Sequence, residues 1–313
     1  MKVVCREAGI TDHAGITKLS RGVYDGTDYT PSIFPVWIDD KDWHIYVAET
    51  LLGEIIGFTA LNRTDEGASI VVRSSRVAES YRGKGIYAML LSSAFASVGT
   101  KSPEIKFVLE MRYAKSKPTE NSDIVGRIAR IVMLCDLRSE TSKEILRPMR
   151  MNNQQYEQTP NTFSSLYDND SSFRSLFYQN VIIIGDDIMH AGFPDTRQYL
   201  DKKEALEFRF TKSENEEGDE LVFSVLNLSS KEDQLGNLVF ELNLYGNGMC
   251  MMKYHVLQTF NAIMQHAGGN FSIVISFDIK HQQELMKFFE KELEFCKIYL
   301  NDSMEIWKSE FTK

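Results

Sequence analysis

A short glycine-rich segment carries the clearest chemical signal in this sequence, at Arg82-Gly83-Lys84-Gly85. It follows a run rich in β-branched residues that ends near Ala78, and it precedes an apolar pattern typical of a helix from Ile86 onwards. A strand that opens through glycines into a helix directs unpaired backbone N–H groups, and the positive end of a helix dipole, towards one point. The glycines leave room for an anion and the two basic residues add charge. The segment therefore predicts a pyrophosphate-binding loop.

Other phosphate-binding loops fit these residues less well. The P-loop requires two glycines separated by four residues and followed by Lys and Ser/Thr. A dinucleotide site requires three spaced glycines within a βαβ unit. This segment has two glycines, and it follows a meander of predicted strands. An ordinary strand–turn–helix junction with a basic surface is the alternative that the segment alone leaves open.

Length and charge set the class of protein. With 313 residues, 43% hydrophobic and 25% charged, the sequence is long and apolar enough for about two domains of a soluble globular protein. A net charge of −9 argues against a nucleic-acid partner. An anion-binding site on an acidic protein must be locally basic, and Arg73, Arg76, Arg82 and Lys84 supply that charge.

The cysteines and the hydropathy pattern predict the compartment. Cys5, Cys135, Cys250 and Cys296 lie far apart and show no metal-ligand spacing. We therefore expect reduced thiols and no metal site. The first residues lack the apolar stretch of a signal peptide, and no run approaches the roughly 18 apolar residues of a membrane span. These patterns predict a cytoplasmic protein without a membrane partner; they leave its oligomeric state open.

The predicted elements divide the chain into two similar units. Residues 1–140 read as β-α-α-β-β-β-loop-α-β-α-β, in which the second-to-last element is a weak helix at 121–126. Residues 141–180 read as a linker or irregular segment rich in polar side chains. Residues 181–313 repeat the pattern of the first unit, with a last strand near 304–307. The predicted architecture is therefore α+β with two domains of one fold.

The second unit lacks the charge of the first at the corresponding loop. That loop is Tyr245-Gly246-Asn247-Gly248-Met249, and no basic residue follows before Lys253. We expect a degenerate repeat that cannot hold a pyrophosphate, and that serves as scaffold or as one wall of the acceptor pocket. A second working site is the alternative.

Arg82 and Gly85 match the pattern Arg-x-x-Gly-x-Gly/Ala, so the loop resembles the coenzyme A loop of the GCN5-related N-acetyltransferases (GNAT). Tyr87 stands where that family prefers Gly or Ala. The order of elements is also similar to the GNAT fold. The resemblance implies an α+β (α/β three-layer) GNAT domain with a degenerate GNAT-like C-terminal domain. It further implies that two strands splay apart and that a thioester enters the gap between them.

A closer resemblance is to the animal histidine N-acetyltransferases. It rests on Asp28-Tyr29-Thr30-Pro31 before a Trp-bearing helix, on Tyr81-Arg82-Gly83-Lys84-Gly85, and on Pro103-Glu104-Ile105-Lys106 before a strand. The resemblance implies transfer of an acetyl group from acetyl-coenzyme A to the α-amine of a small free amino acid, with histidine favoured. Arg73 stands where that family has an acidic residue, which puts the acceptor in doubt. The alternatives are an inactive protein that binds acyl-coenzyme A or a metabolite, and an acetyltransferase for peptides or other small amines.

Direct transfer requires a base for the amine, an acid for the thiolate and backbone donors for the oxyanion. The expected catalytic residues are Glu110 and Glu49 as bases and Tyr113 as the acid. The expected coenzyme-binding residues are Arg76, Val77, Ala78, Arg82, Gly83, Lys84, Gly85, Ile86, Tyr87 and Asn121. The acceptor's carboxylate is expected to meet Tyr29, Arg73 and Arg112.

Overall fold

The structure is a computed structural model that describes residues 2–26, 28–114, 122–136, 162–177, 180–184, 187–203, 205–215, 218–228, 231–267, 269–294 and 296–311. Its first elements are β1 (Val3–Glu7), α1 (His13–Ser20), α2 (Thr30–Asp39), β2 (Trp43–Thr50), β3 (Ile55–Thr64), β4 (Ser69–Val77), α3 (Ile86–Lys101), β5 (Phe107–Tyr113) and β6 (Ser122–Asp136). The C-terminal part contains α4 (Phe163–Asn169), α5 (Ser171–Ser175), β7 (Val181–Ile184), β8 (Asp187–His190), α6 (Pro194–Lys202), β9 (Leu206–Asn215), β10 (Gly218–Asn227), β11 (Leu238–Gly246), α7 (Met249–His266), β12 (Asn270–Asp278), α8 (Gln282–Glu292) and β13 (Cys296–Glu310).

One mixed sheet connects the two halves of the chain. Its strand order is β1-β2-β3-β4-β5-β13-β6-β12-β11-β10-β9, while β7 and β8 form a separate hairpin. The last strand of each half lies against the other half, because β13 pairs with β5 and β6 pairs with β12. The two exchanged strands also pair with each other. Neither half therefore completes its sheet alone.

The N-terminal half contains a gap between two parallel strands. Residues 69–72 of β4 pair with 107–110 of β5, after which β4 continues to Val77 and β5 to Tyr113. A bulge interrupts the pairing of β3 with β4, and Ser74 at this bulge has φ 45°. A bulge bends its strand and increases the local twist. The strands consequently diverge at their carboxyl ends, as expected.

The C-terminal half keeps its parallel strands together. Residues 238–244 of β11 pair with 271–277 of β12, almost to the end of both strands. The space between these strands is closed by backbone hydrogen bonds, so a ligand cannot pass between them. This difference distinguishes the two halves although β2-β3-β4-α3-β5 and β9-β10-β11-α7-β12 follow in the same order.

Helix α3 begins at the glycine loop and covers one face of the sheet. Ile86, Leu90, Ala94 and Val98 recur every four residues and are all buried, because that spacing places them on one side of a helix. They pack with Ile70 and other residues of the sheet. Burying side chains of this size stabilises the packing by about 1.5–3 kcal/mol each. The opposite face of the sheet is covered by α1 and α2 in the N-terminal half.

The predictions of a helix at 121–126 and of four reduced cysteines are both wrong. Residues 122–126 belong to β6 and are not helical. Cys135 and Cys296 form a disulfide, so the expectation of four reduced thiols fails for this pair. The cysteines are directly opposite each other in the antiparallel pair of β6 and β13, with Cα atoms 4.1 Å apart. The sequence hides this proximity because 161 residues separate them. The cytoplasmic location is still a prediction, and a disulfide gives it no support.

Among the described residues, no helix combines the length and the apolar character needed to cross a lipid bilayer.

Candidate active site

The glycine loop has the geometry that an anion-binding loop requires. Gly83 and Gly85 have φ of 72° and 76°, in the left-handed region that favours glycine. Gly85 is the residue immediately before α3, and a Cβ built on either glycine would meet nothing within 4 Å. The space in front of the helix N-terminus is therefore open. These residues fit a pyrophosphate.

The two basic side chains of the loop lie close to its backbone. Lys84 Nζ donates to the carbonyl of Ser80 over 2.7 Å, and Arg82 Nε donates to the carbonyl of Val77 over 3.2 Å. Both side chains are exposed, so an anion can compete for them with these carbonyls. Charge-assisted contacts to a phosphate are the stronger hydrogen bonds.

Two residues expected at the coenzyme have other structural roles as well. The side chain of Ile86 is buried beneath α3, so its backbone alone can face a ligand. The backbone N–H of Ala78 donates to the carbonyl of Ile56 over 2.9 Å, so it is not available as an oxyanion donor. Asn121 lies outside the described residues.

A cavity of about 180 Å³ passes through the sheet where β4 and β5 diverge. Side chains on a strand alternate between its faces. Ile70 and Val108 pack on the α3 side, which places Glu110 on that side too. Val71 packs on the opposite side, which places Arg73 there. Because both Glu110 and Arg73 line the cavity, it connects the face with the glycine loop to the face with α2.

On the α3 face, three residues form a hydrogen-bonded group around a buried carboxylate. Tyr87 Oη donates to Glu110 Oε1 over 2.5 Å, and Arg112 Nη2 donates to Glu110 Oε2 over 2.5 Å. Burial raises the pKa of Tyr87 above its ordinary value, and the charge of Glu110 raises it further. The hydroxyl is therefore protonated at neutral pH and acts as a donor. The structure brings Tyr87 and Glu110 together although the two were predicted to have separate roles.

On the opposite face, Arg73 is buried between aromatic rings and an acid from the C-terminal half. It forms an ion pair with Asp187, and its Nη2 lies 3.4 Å from Tyr29 Oη. Its guanidinium lies 5.8 Å from the ring centre of Trp37 and 5.1 Å from that of Trp43. Arg73 and Arg112 consequently lie on different faces of the sheet. They were predicted to bind one carboxylate, and the structure does not bring them together.

Asp28 is a site residue that sequence reasoning missed. It is buried, accepts hydrogen bonds from Thr30 at the start of α2, and forms an ion pair with Arg76 over 3.2 Å. An Asp just before a helix often accepts a hydrogen bond from the backbone N–H two residues later, in an Asx turn. That signal was visible in the sequence, but it predicts the helix and not the ion pair with Arg76.

The remaining predicted residues occupy different places. Tyr113 lines the cavity and is 44% exposed. Glu49 lies on β2, where its carboxylate accepts a hydrogen bond from Arg6 over 2.7 Å. The structure does not bring Glu49 to the cavity, so Glu110 is the better placed of the two expected bases.

The C-terminal half supplies one wall of the cavity. Its contributions are Ile188, Val239, Ser272, Val274 and Met304. That this wall contacts the acceptor stays a prediction. On the α2 side, Arg73 also borders a wider cavity of about 710 Å³, which Asp187 and Trp37 line as well. The α2 side of the cavity therefore forms only when both halves are present.

The corresponding loop of the C-terminal half has no comparable space. A Cβ on Gly248 would lie 2.6 Å from Met251 and 3.3 Å from Glu220 Oε2, and one on Gly246 would lie 1.9 Å from the carbonyl oxygen of Leu221. The volume that an anion would need is filled by backbone and side chains, one of them acidic. This packing agrees with the expected degenerate repeat and gives no support to a second working site.

The fold places this chain in a known structural class. Over 100% of its length it matches 99% of a solved tandem GNAT protein from the clavulanic acid biosynthesis pathway, with a TM-score of 0.51 and 10% identity. The chain thus has a tandem GNAT fold, as predicted. Residues 17–101 match the profile of the acetyltransferase (GNAT) family.

Curated relatives match about a third of this chain. A histidine N-acetyltransferase of Oreochromis niloticus is 30% identical over 95 residues, which are 30% of this chain and 28% of the relative. A probable N-acetyltransferase 16 of Homo sapiens is 30% identical over 105 residues, which are 34% of this chain and 28% of the relative. The matched part spans less than a third of the length of these relatives.

Proposed function

We propose that this protein is an acetyl-coenzyme A-dependent N-acetyltransferase that modifies the α-amine of a small free amino acid, with histidine as the favoured acceptor. The observation that carries the proposal is the cavity through the sheet between β4 and β5. It opens towards the glycine loop on one face and towards Arg73 on the other. The names of the relatives support histidine as the first acceptor to test.

Each face of the site has its own task. On the α3 face, the backbone of Gly83 and Gly85, with Arg82 and Lys84, holds the coenzyme's pyrophosphate. When bound, acetyl-coenzyme A supplies a thioester that an amine can attack. On the other face, Arg73 and Tyr29 hold the acceptor's carboxylate.

Proton transfer is the main chemical contribution of the protein itself. A free amino acid carries an ammonium group at neutral pH, and that group must lose a proton before it can attack. Glu110 is the carboxylate at the point where the strands separate, so we assign it the role of base. Tyr113 borders the same cavity and is assigned as the acid for the leaving thiolate.

A small acceptor fits the site better than a peptide. Residues of β8, β11 and β12 line the cavity together with Arg73, and its volume of about 180 Å³ is small compared with the open groove that an extended peptide requires. A free amino acid requires no such groove, and its carboxylate matches the positive charge of Arg73.

One observation favours a second candidate, a coenzyme-binding protein without catalytic activity. Glu110 already accepts hydrogen bonds from Tyr87 and Arg112. If both bonds persist when ligands bind, the base is unavailable and the protein binds without transferring.

A thiol-release assay with acetyl-coenzyme A and each of the twenty amino acids separates these functions. Release with one or a few amino acids, above all histidine, is the expected result. Coenzyme binding without release for any amine supports the inactive binding protein. Absence of coenzyme binding overturns both.

A further inference from the structure

The hydroxyl of Tyr87 reaches from α3 to the β5 edge of the gap between β4 and β5. Tyr87 lies in the first turn of α3, and its hydroxyl donates to Glu110 on β5 over 2.5 Å. Tyr87 and Ser75 of β4 both line the cavity where the two strands diverge. The two strands no longer pair with each other beyond Val72 and Glu110. The side chain of Tyr87 therefore lies in the opening at the level where it begins.

The same contact restricts Glu110. Its side chain is buried, and each carboxylate oxygen already accepts a hydrogen bond. A buried oxygen offers little room for a further donor. The acceptor's ammonium can reach Oε1 readily only after the Tyr87 hydroxyl has left it.

We propose that the coenzyme's thioester arm displaces the side chain of Tyr87 and breaks its hydrogen bond with Glu110, which we call the crossbar. This displacement releases Glu110 for the proton that the acceptor must lose. Tyr87 is thus a positioning residue that couples coenzyme binding to the availability of the base. The inference rests on the proposed function, since it requires the arm to enter between β4 and β5.

A variant that lacks the crossbar should bind the coenzyme more tightly than the wild type does. In the wild type, part of the binding free energy is used to break the bond between Tyr87 and Glu110. Tyr87→Phe retains the ring and removes that bond before binding. Because the free energy of a hydrogen bond to a charged group no longer has to be overcome, coenzyme A should bind about tenfold more tightly to the variant. Without ligand, the variant should melt at a lower temperature than the wild type.

Higher coenzyme affinity together with a lower melting temperature excludes a merely structural role, because a variant with a damaged site would lose both stability and affinity. Calorimetric titration of the full-length protein with coenzyme A and thermal melting measure the two quantities. A truncated probe isolates the arm: 3′-phospho-ADP carries the pyrophosphate without the pantetheine, and it should bind equally to wild type and variant.

Two further variants complete the test. Tyr81→Phe removes a hydroxyl beside the glycine loop that bonds to Glu54 outside the gap, and it should leave coenzyme affinity unchanged. Glu110→Gln weakens the same crossbar from the other side, so it should also tighten binding. Its effect and that of Tyr87→Phe should be non-additive, since both remove one interaction. If Tyr87→Phe does not fold, Glu110→Gln alone carries the test.

Unchanged or weaker coenzyme affinity in Tyr87→Phe, with normal binding to the wild type, overturns the crossbar and leaves the proposed function intact. Absence of coenzyme binding to the wild type overturns both.

Discussion

Replacing Gly85 by glutamate most directly tests the proposal that the glycine loop binds the coenzyme. Gly85 has φ 76°, where a residue with a Cβ costs about 1–2 kcal/mol of stability. Its Cβ would meet nothing within 4 Å, so no clash adds to that cost. We therefore expect Gly85→Glu to fold, with a slightly lower melting temperature.

The effect on binding should be much larger than the effect on stability. A carboxylate about 5 Å from one anionic phosphate oxygen costs roughly 3 kcal/mol at the effective dielectric constant of a protein surface. That energy corresponds to a loss of affinity of at least about a hundredfold. Gly85→Ala separates size from charge, because it adds the same backbone strain without the carboxylate, and it should lose less affinity.

Gly22 provides a matched control for this experiment. It has φ 71° in an exposed turn after α1, and a Cβ there would also meet nothing within 4 Å. Gly22→Glu should show the same small loss of stability with unchanged affinity for coenzyme A. Calorimetric titration and thermal melting of the three variants are the assays. Normal coenzyme binding by Gly85→Glu would refute the assignment of the loop.

Three further predictions concern the base, the disulfide and a buried histidine. Glu110→Gln should lower the acetyl-transfer rate about 10²–10⁴-fold without weakening coenzyme binding, because it removes the proposed base; an unchanged rate in the thiol-release assay excludes that role. Reducing Cys135–Cys296 should lower the unfolding free energy by about 2–5 kcal/mol in guanidinium titrations, because it frees a long loop, whereas Cys250→Ser should have no such effect. Burial, with the charge of Arg209, lowers the pKa of His255 to about 3. The free energy of unfolding should therefore rise with pH between about 3 and 6.5, because the unfolded state loses its proton there while the folded state is already neutral. Urea unfolding at several pH values should show a smaller rise of that free energy with pH for His255→Gln than for the wild type, and an equal rise contradicts the prediction.

The conformation of the glycine loop could be predicted because its signals are local. The positive φ angles at Gly83 and Gly85, and the helix that follows, depend on residues close in sequence. Helix α3 was visible in the same way from its four-residue spacing. Such patterns predict the backbone conformation of one segment without information about distant segments.

The partners of individual side chains could not be predicted in this way. Glu110 was identified as a candidate base, but its contact with Tyr87 depends on the distance between α3 and β5. Asp187 was not identified at all, because nothing in its own segment indicates that it will meet Arg73 from the other half of the chain. The disulfide between Cys135 and Cys296 was missed for the same reason.

By itself, the sequence determined the order of the elements around the glycine loop, the open conformation of that loop and its loss in the second half. These features follow from backbone conformation and hydrophobic periodicity, which act over a few residues. Only the tertiary structure decided that the halves exchange their last strands, that both of them line the cavity, and that Tyr87 lies in the opening against Glu110. Those outcomes depend on which strand edges pair and how strongly the sheet twists, and the physical interactions involved join residues that are far apart along the chain.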